Sequence, residues 1–190
     1  LLWVLDKTKT AMGSRMIRSW IEQPLISPAA IRRRLDGVQA LVEHTMEREE
    51  LILALREVTD LERIIGRVVY GSANARDLAS LAAGLGKIPK LRELCAAVDA
   101  PLIAEVRQGL DDLTALREEL ERAIVDEPPF TVREGGMIRT GYSEEVDRLH
   151  SIQTGGRDLV AQMEARVKEE CGLRNLQVSY NKVVGYYLVV

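Results

Sequence analysis

Between Ser143 and Glu170 the apolar residues Val146, Leu149, Ile152, Leu159, Met163 and Val167 recur at helical spacing through 28 residues, and no other stretch limits the possible folds as strongly. At the standard rise such a helix is roughly 42 Å long. That is more than a compact domain built from 190 residues requires, so a projecting strut is expected. Gly155-Gly156 in its middle costs on the order of 2 kcal/mol relative to two alanines and marks a kink or flexing point. The alternative is an ordinary core helix broken in two at the glycines.

Upstream the pattern is also helical, punctuated by caps and breakers. Residues 9 to 22 carry Met12, Met16, Ile17, Trp20 and Ile21 at helical spacing and stop before Gln23-Pro24. Ser27-Pro28 opens the next helix, with serine as N-cap and proline at the first position, where a missing N–H loses no partner. Ile31, Leu35, Val38, Leu41 and Val42 are expected to face inward from it, and a shorter helix follows through Leu51, Leu55 and Val58. Asp60 is the next N-cap, with Glu62 in a first turn that favours an anion. Its helix, Leu61 to Tyr70, closes at Gly71. Asn74 and Asp77 resemble a capping pair for a helix reaching about Gly84, and further helical patterns cover roughly 87 to 97 and 102 to 124.

Two breaks interrupt this series. The first runs from Asp126-Glu127-Pro128-Pro129 through Gly135-Gly136 to Gly141, a connector with Thr131-Val132 and Met137-Ile138 as short extended stretches. The second is Cys171-Gly172, after which Leu176, Val178 and Tyr180 alternate with Gln177 and Ser179. Tyr186, Leu188 and Val190 repeat that period, which predicts a β-hairpin. A lone two-stranded hairpin is marginal in water, so it needs further strands or a partner.

Composition narrows the chemistry. Hydrophobic residues make up 46% and charged residues 29%, ordinary globular usage that argues against disorder. No apolar run reaches the ~18 residues of a membrane span, and the first residues are too short for a secretory signal, which makes a cytoplasmic address the default. Cys95 and Cys171 stand far apart, as expected of reduced, structural thiols. His44 and His150 lack neighbouring ligand residues, so no metal site is expected. Gly84-Leu85-Gly86-Lys87-Ile88 lacks both the glycine spacing and the hydroxyl of a phosphate loop. Glu118-Glu119-Glu121 and Glu47-Glu49-Glu50 read as solvated helix faces, and no catalytic residue is assigned.

The formal net charge of −3 argues against a dedicated basic nucleic-acid binder, yet its distribution is uneven. Seven basic groups fall in residues 1 to 34 (Lys7, Lys9, Arg15, Arg18, Arg32, Arg33, Arg34) against Asp6 and Glu22. The Arg32-Arg33-Arg34 run reads as a solvated helix face. After Glu170 no carboxylate side chain occurs, while Arg174 and Lys182 remain. Aromatic residues total 4%, which leaves few stacking platforms, though Tyr180, Tyr186 and Tyr187 crowd the final hairpin.

Four stretches carry a resemblance. Leu1-Leu2-Trp3-Val4-Leu5-Asp6-Lys7-Thr8-Lys9-Thr10-Ala11-Met12-Gly13-Ser14-Arg15, followed by Arg18-Ser19-Trp20-Ile21-Glu22-Gln23-Pro24-Leu25, is the first, and Asp60-Leu61-Glu62-Arg63 the second. The third is Arg133-Glu134-Gly135-Gly136-Met137-Ile138-Arg139-Thr140-Gly141-Tyr142, and the fourth Val178-Ser179-Tyr180-Asn181-Lys182-Val183-Val184-Gly185-Tyr186-Tyr187-Leu188. In order and spacing they resemble the core, or lever, domain and the start of the clamp domain in the MutS family of bacterial DNA mismatch-repair proteins. Ser179 departs from a usual glycine, Val184 from an aromatic or histidine, and Val189 from an acidic or polar residue.

The resemblance implies a mainly α fold, a helical lever domain with a long projecting helix ending in a short β-hairpin at the base of the clamp. It divides the chain into a helical core at 1–125, a connector at 126–142, the long lever helix at 143–172 and the first clamp strands at 173–190. In the family the chain continues through the clamp, returns along a second long helix beside residues 143 to 170 and enters the ATPase. The apolar stripe is therefore expected to stay uncovered within these residues. ATP and Mg²⁺, a partner duplex containing mismatches and a homodimeric assembly belong to the full-length family protein; no cofactor and no membrane partner are expected here. An acid-free tip suits sequence-independent phosphate contact, with Arg174, Asn181 and Lys182 as candidates. The competing reading is an all-helical protein–protein interaction scaffold with no DNA contact, which the acidic balance favours.

Overall fold

Side-chain caps at Thr10, Asp60, Asn74 and Ser143 start four of the described α-helices. The structure, a computed structural model, describes the backbone of residues 1–172 and 175–189 and their side chains apart from 153, 154 and 157–159. It is mainly α-helical and forms two compact units, Leu1–Arg139 and Thr140–Val190. Among the described residues no helix is long and apolar enough to cross a membrane.

The first unit begins with a single turn, α1 (Leu2–Leu5), which the sequence pattern does not announce. Helix α2 (Ala11–Glu22) starts where the Thr10 hydroxyl accepts from Gly13 N–H and ends short of Pro24, as expected. Pro28 stands at the first position of α3 (Pro28–Glu43), but Ser27 makes no side-chain capping bond. The inward face of α3 also differs from the expected one. Ile31, Leu35, Val38 and Val42 are exposed, and the buried positions are Gly37 and Ala40. The reason is close approach: a Cβ on Gly37 would stand 3.1 Å from Leu102 Cδ2 on the helix packed against it, so the small residues face the neighbour and the large ones face out.

Helices α4 (Thr45–Arg56), α5 (Leu61–Val69), α6 (Ala75–Leu85) and α7 (Ile88–Ala96) follow. Asp60 caps α5 by accepting from Arg63 N–H, and Asn74 with Asp77 forms the reciprocal capping box of α6. The pattern over 102 to 124 is not one helix. It splits into α8 (Pro101–Gly109) and α9 (Thr114–Ala123), because the Asp111 carboxylate accepts from Leu113 N–H and turns the chain, with Leu113 in the left-handed region at φ 45°. The core lies where these helices cross. Ile64, Leu81, Leu85 and Ile88 pack with Leu61, Leu110 and Leu120; Ala40, Val98 and Ala100 pack with Leu41 and Ile103.

The connector is more ordered than its composition suggests. Thr131 and Glu134 cap a 3₁₀ turn (Val132–Glu134), where an extended stretch was expected at Thr131-Val132. Met137-Ile138 is extended and pairs back: Ile138 bridges Ile124, Val125 N–H donates to the Met137 carbonyl, and Arg139 N–H to that of Ala123. Ile124, Ala123 and Ala75 are buried there with Met137 and Ile138 against them.

In the second unit one continuous helix, α10 (Glu144–Cys171), runs through Gly155-Gly156 without a break. The Ser143 hydroxyl accepts from Val146 N–H, and Glu144, Glu145 and Asp147 occupy the first turn, where the helix dipole favours them. Strands β1 (Gln177–Asn181) and β2 (Gly185–Val189) form an antiparallel hairpin in which Val178 opposes Leu188 and Tyr180 opposes Tyr186. Leu176, which leads into β1, is the most deeply buried side chain at 2% exposure.

Candidate nucleic-acid interface

The hairpin is fastened to the last third of α10. Glu164 accepts from Val178 N–H at 3.1 Å and pairs with Lys168 Nζ at 2.6 Å; the lysine contact first, and then the amide, hold its carboxyl below the usual range. Opposite residues of an antiparallel pair share a face. Val178, Tyr186 and Leu188 accordingly look toward Val160, Met163 and Val167 of α10 across an apolar cavity of about 520 Å³. The stripe therefore meets two environments. Its C-terminal part fronts the hairpin, while Val146, Leu149 and Ile152 are exposed. Leu159 lies outside the residues whose side chains are described.

At the free end of the hairpin, Asn181 and Gly185 close a three-residue loop, with Gly185 at φ 83° supplying the left-handed step such loops need. The Asn181 Oδ1 accepts from Val183 N–H at 2.9 Å and Val184 N–H at 2.7 Å. Of the three residues singled out in the sequence, Asn181 is thus first a turn residue, and only its NH₂ is left to donate outward. Lys182 is exposed at the tip and has no ion pair among the described residues. Arg174 lies outside the described residues. Tyr180 and Tyr186 stack at 5.0 Å beside the tip, and Val183 is 94% exposed.

Two cations of the basic run on α3 are engaged by neighbouring helices. Arg33 pairs with Glu105 of α8, and the Arg34 guanidinium lies 3.6 Å from the centre of the Trp20 ring. These cations join helices.

Two functional-looking motifs meet in a way the sequence did not reveal. Arg15 of α2 grips Asp60 with both terminal nitrogens, at 2.9 and 2.6 Å, and reaches Glu62 through Nε at 2.8 Å. This guanidinium lowers the Asp60 carboxyl to about 2, with the Arg63 amide helping against slight burial. Asp6 is likewise held below its usual value, by the Ser14 hydroxyl first and then by Thr8. Arg139 of the third stretch donates to the carbonyls of Glu121 and Ile124 and to Asp126, clasping the connector to α9. Residues 45 apart leave no periodic trace, so the Arg15–Asp60 grip could be found only in three dimensions.

The Gly84 to Lys87 stretch is not built as a phosphate loop. Gly84 of the Gly84-Leu85-Gly86-Lys87 stretch is packed, since a Cβ there would collide with Thr59 and stand 2.8 Å from Leu61 Cδ2, and Lys87 is paired with Glu57. Among the described residues no group of three or more His, Cys, Asp or Glu could hold a metal ion.

The family model for MutS domain III matches residues 1–181. The chain belongs to the MutS domain III family. Over all 190 residues it is 45% identical to the DNA mismatch repair protein MutS of Brevibacillus brevis, 45% to that of Desulforamulus reducens and 48% to that of Desulfitobacterium hafniense. It covers 22% of each of these relatives, so it spans about a fifth of their length. Three of the four stretches that carried the resemblance lie within the matched residues, in α1 with α2, the α5 cap and the Arg139 clasp, and the fourth begins there at Val178 to Asn181.

Proposed function

We propose that the chain acts as the lever and clamp base of a DNA mismatch-repair protein. The helical unit serves as the lever, α10 as the strut, and the hairpin as the part that meets duplex DNA through its backbone. In this reading Lys182 and Arg174 supply charge to phosphates and the Asn181 NH₂ a neutral donor. Catalysis and mismatch reading are assigned to no residue of the chain, and ATP hydrolysis, homodimer formation and mismatch recognition to the rest of a longer cytoplasmic protein. One observation carries it: no carboxylate side chain follows Glu170, and Lys182 stands exposed at the hairpin tip with no ion pair among the described residues. A contact of this kind holds a duplex without reading its sequence.

The test is a salt titration of duplex binding by the intact chain, with matched and mismatched duplexes side by side. Weak binding that falls steeply with salt and does not distinguish the duplexes is expected. Absence of binding at the lowest salt would favour the protein–protein scaffold instead.

A further inference from the structure

We infer that Gly155-Gly156 is a flexure built into α10, about which the C-terminal part of the helix and the hairpin swing as one tip. A glycine inside a helix ordinarily has a local reason. Gly37 and Gly84 sit where a Cβ would press on Leu102 or on Thr59 and Leu61, and, outside the helices, Gly185 in β2 holds a positive φ. Neither reason applies here: both glycines are helical without a positive φ, and a Cβ on either would meet nothing within 4 Å. Gly66 in α5 and Gly109 at the end of α8 share that open space, but each stands alone in a helix of nine residues. The pair is the most weakly propagating point of a helix 28 residues long, since glycine gives up the most backbone freedom on becoming helical.

Its position divides the helix by attachment. Every hairpin contact described above is made C-terminal to residue 156, through Val160, Met163, Glu164 and Val167, with Gly156 itself at the edge of the cavity. N-terminal to the pair, Val146, Leu149 and Ile152 are exposed and Arg148 pairs locally with Glu145. Among the described side chains, bending at the glycines therefore breaks no contact to the hairpin. It re-aims the tip as a body, by the hinge mechanism in which a few residues absorb the change in backbone angles. The inference concerns the helix alone and is independent of whether the tip touches DNA.

Distance measurement between spin labels on either side of the pair tests it. In the intact chain, with Cys95 replaced by alanine, one label goes on Cys171, which is exposed, and the other on an Arg148→Cys substitution. A straight helix puts these positions about 34 Å apart. The parent should give a broad distribution with a shorter-distance population. Gly155→Ala/Gly156→Ala should collapse it to a narrow peak near that length, with single alanines intermediate and helix content by circular dichroism no lower than the parent. Equal widths for parent and double variant, whether narrow or broad, would overturn the inference.

Discussion

In Leu1–Arg139 the buried apolar side chains gather into clusters around Ile64, Ala40 and Ala123, tied across the chain by the Arg15 grip and the Arg139 clasp. In Thr140–Val190 the burial centres on Leu176, the hairpin leaves a cavity of about 520 Å³ against α10, and Val146, Leu149, Ile152 and Met163 are 40% exposed or more. The first unit has the features of a body that holds its own shape. The second is a limb that buries fewer of its described side chains, although both units leave large apolar residues exposed, such as Leu35 and Val38 in the first and Leu149 and Ile152 in the second.

Opening the core should separate body from limb most sharply. Ile64, 4% exposed, sits among Leu81, Leu85 and Ile88, and Ile64→Ala should cost about 2 to 5 kcal/mol in urea unfolding followed by Trp20 fluorescence. Leu149→Ala, at a position 53% exposed, should cost less than about 1 kcal/mol in the same assay. Equal losses would erase the distinction.

Leu176→Ala should act locally. Removing the most deeply buried side chain beside a hairpin that is marginal alone should speed hydrogen exchange at Val178, whose N–H donates to Glu164, and leave the Trp20 midpoint unchanged within error. A fall in that midpoint as large as that of Ile64→Ala would mean that the units unfold as one.

A change of pH should have a smaller effect still. The Asp60 carboxyl titrates at about 2 in the folded chain against an ordinary 3.8. A depressed folded value stabilises fully above the unfolded one, so the contribution is complete above about pH 4 and is lost as pH falls toward 2. Arg15 is 44% exposed, so solvent screening should keep the loss small. Asp60→Asn keeps a capping side chain and removes the charge, and should flatten stability over that pH window; an unchanged pH profile would mean that the grip adds nothing to the body's stability.

What could be read from the sequence was what is decided within a few residues. The Asp60 cap, the Asn74–Asp77 box, the Ser143 start and the β-alternation around Val178 are local, and they stand where expected. The inward face of α3 was misread because periodicity favours large apolar residues, whereas a close helix crossing selects Gly37 and Ala40. The single helix over 102 to 124 failed at Asp111, where a side chain offers the backbone a turn that outcompetes helix. At the tip, Lys182 was legible as an unopposed charge, but the commitment of Asn181 to its own turn appears only once the loop is closed.

If the tip of the strut holds the DNA backbone by charge, the salt dependence of duplex affinity must report it. The measurement compares the full-length protein with its Arg174→Glu/Lys182→Glu variant. Each phosphate that a cation no longer neutralises should lower the slope of log affinity against log salt by about 0.9, so the double variant should bind more weakly with a slope shallower by roughly 1.8. The ratio between mismatched and matched duplexes should not move. An unchanged slope and affinity would contradict a charge-held backbone and leave the hairpin as a packing element.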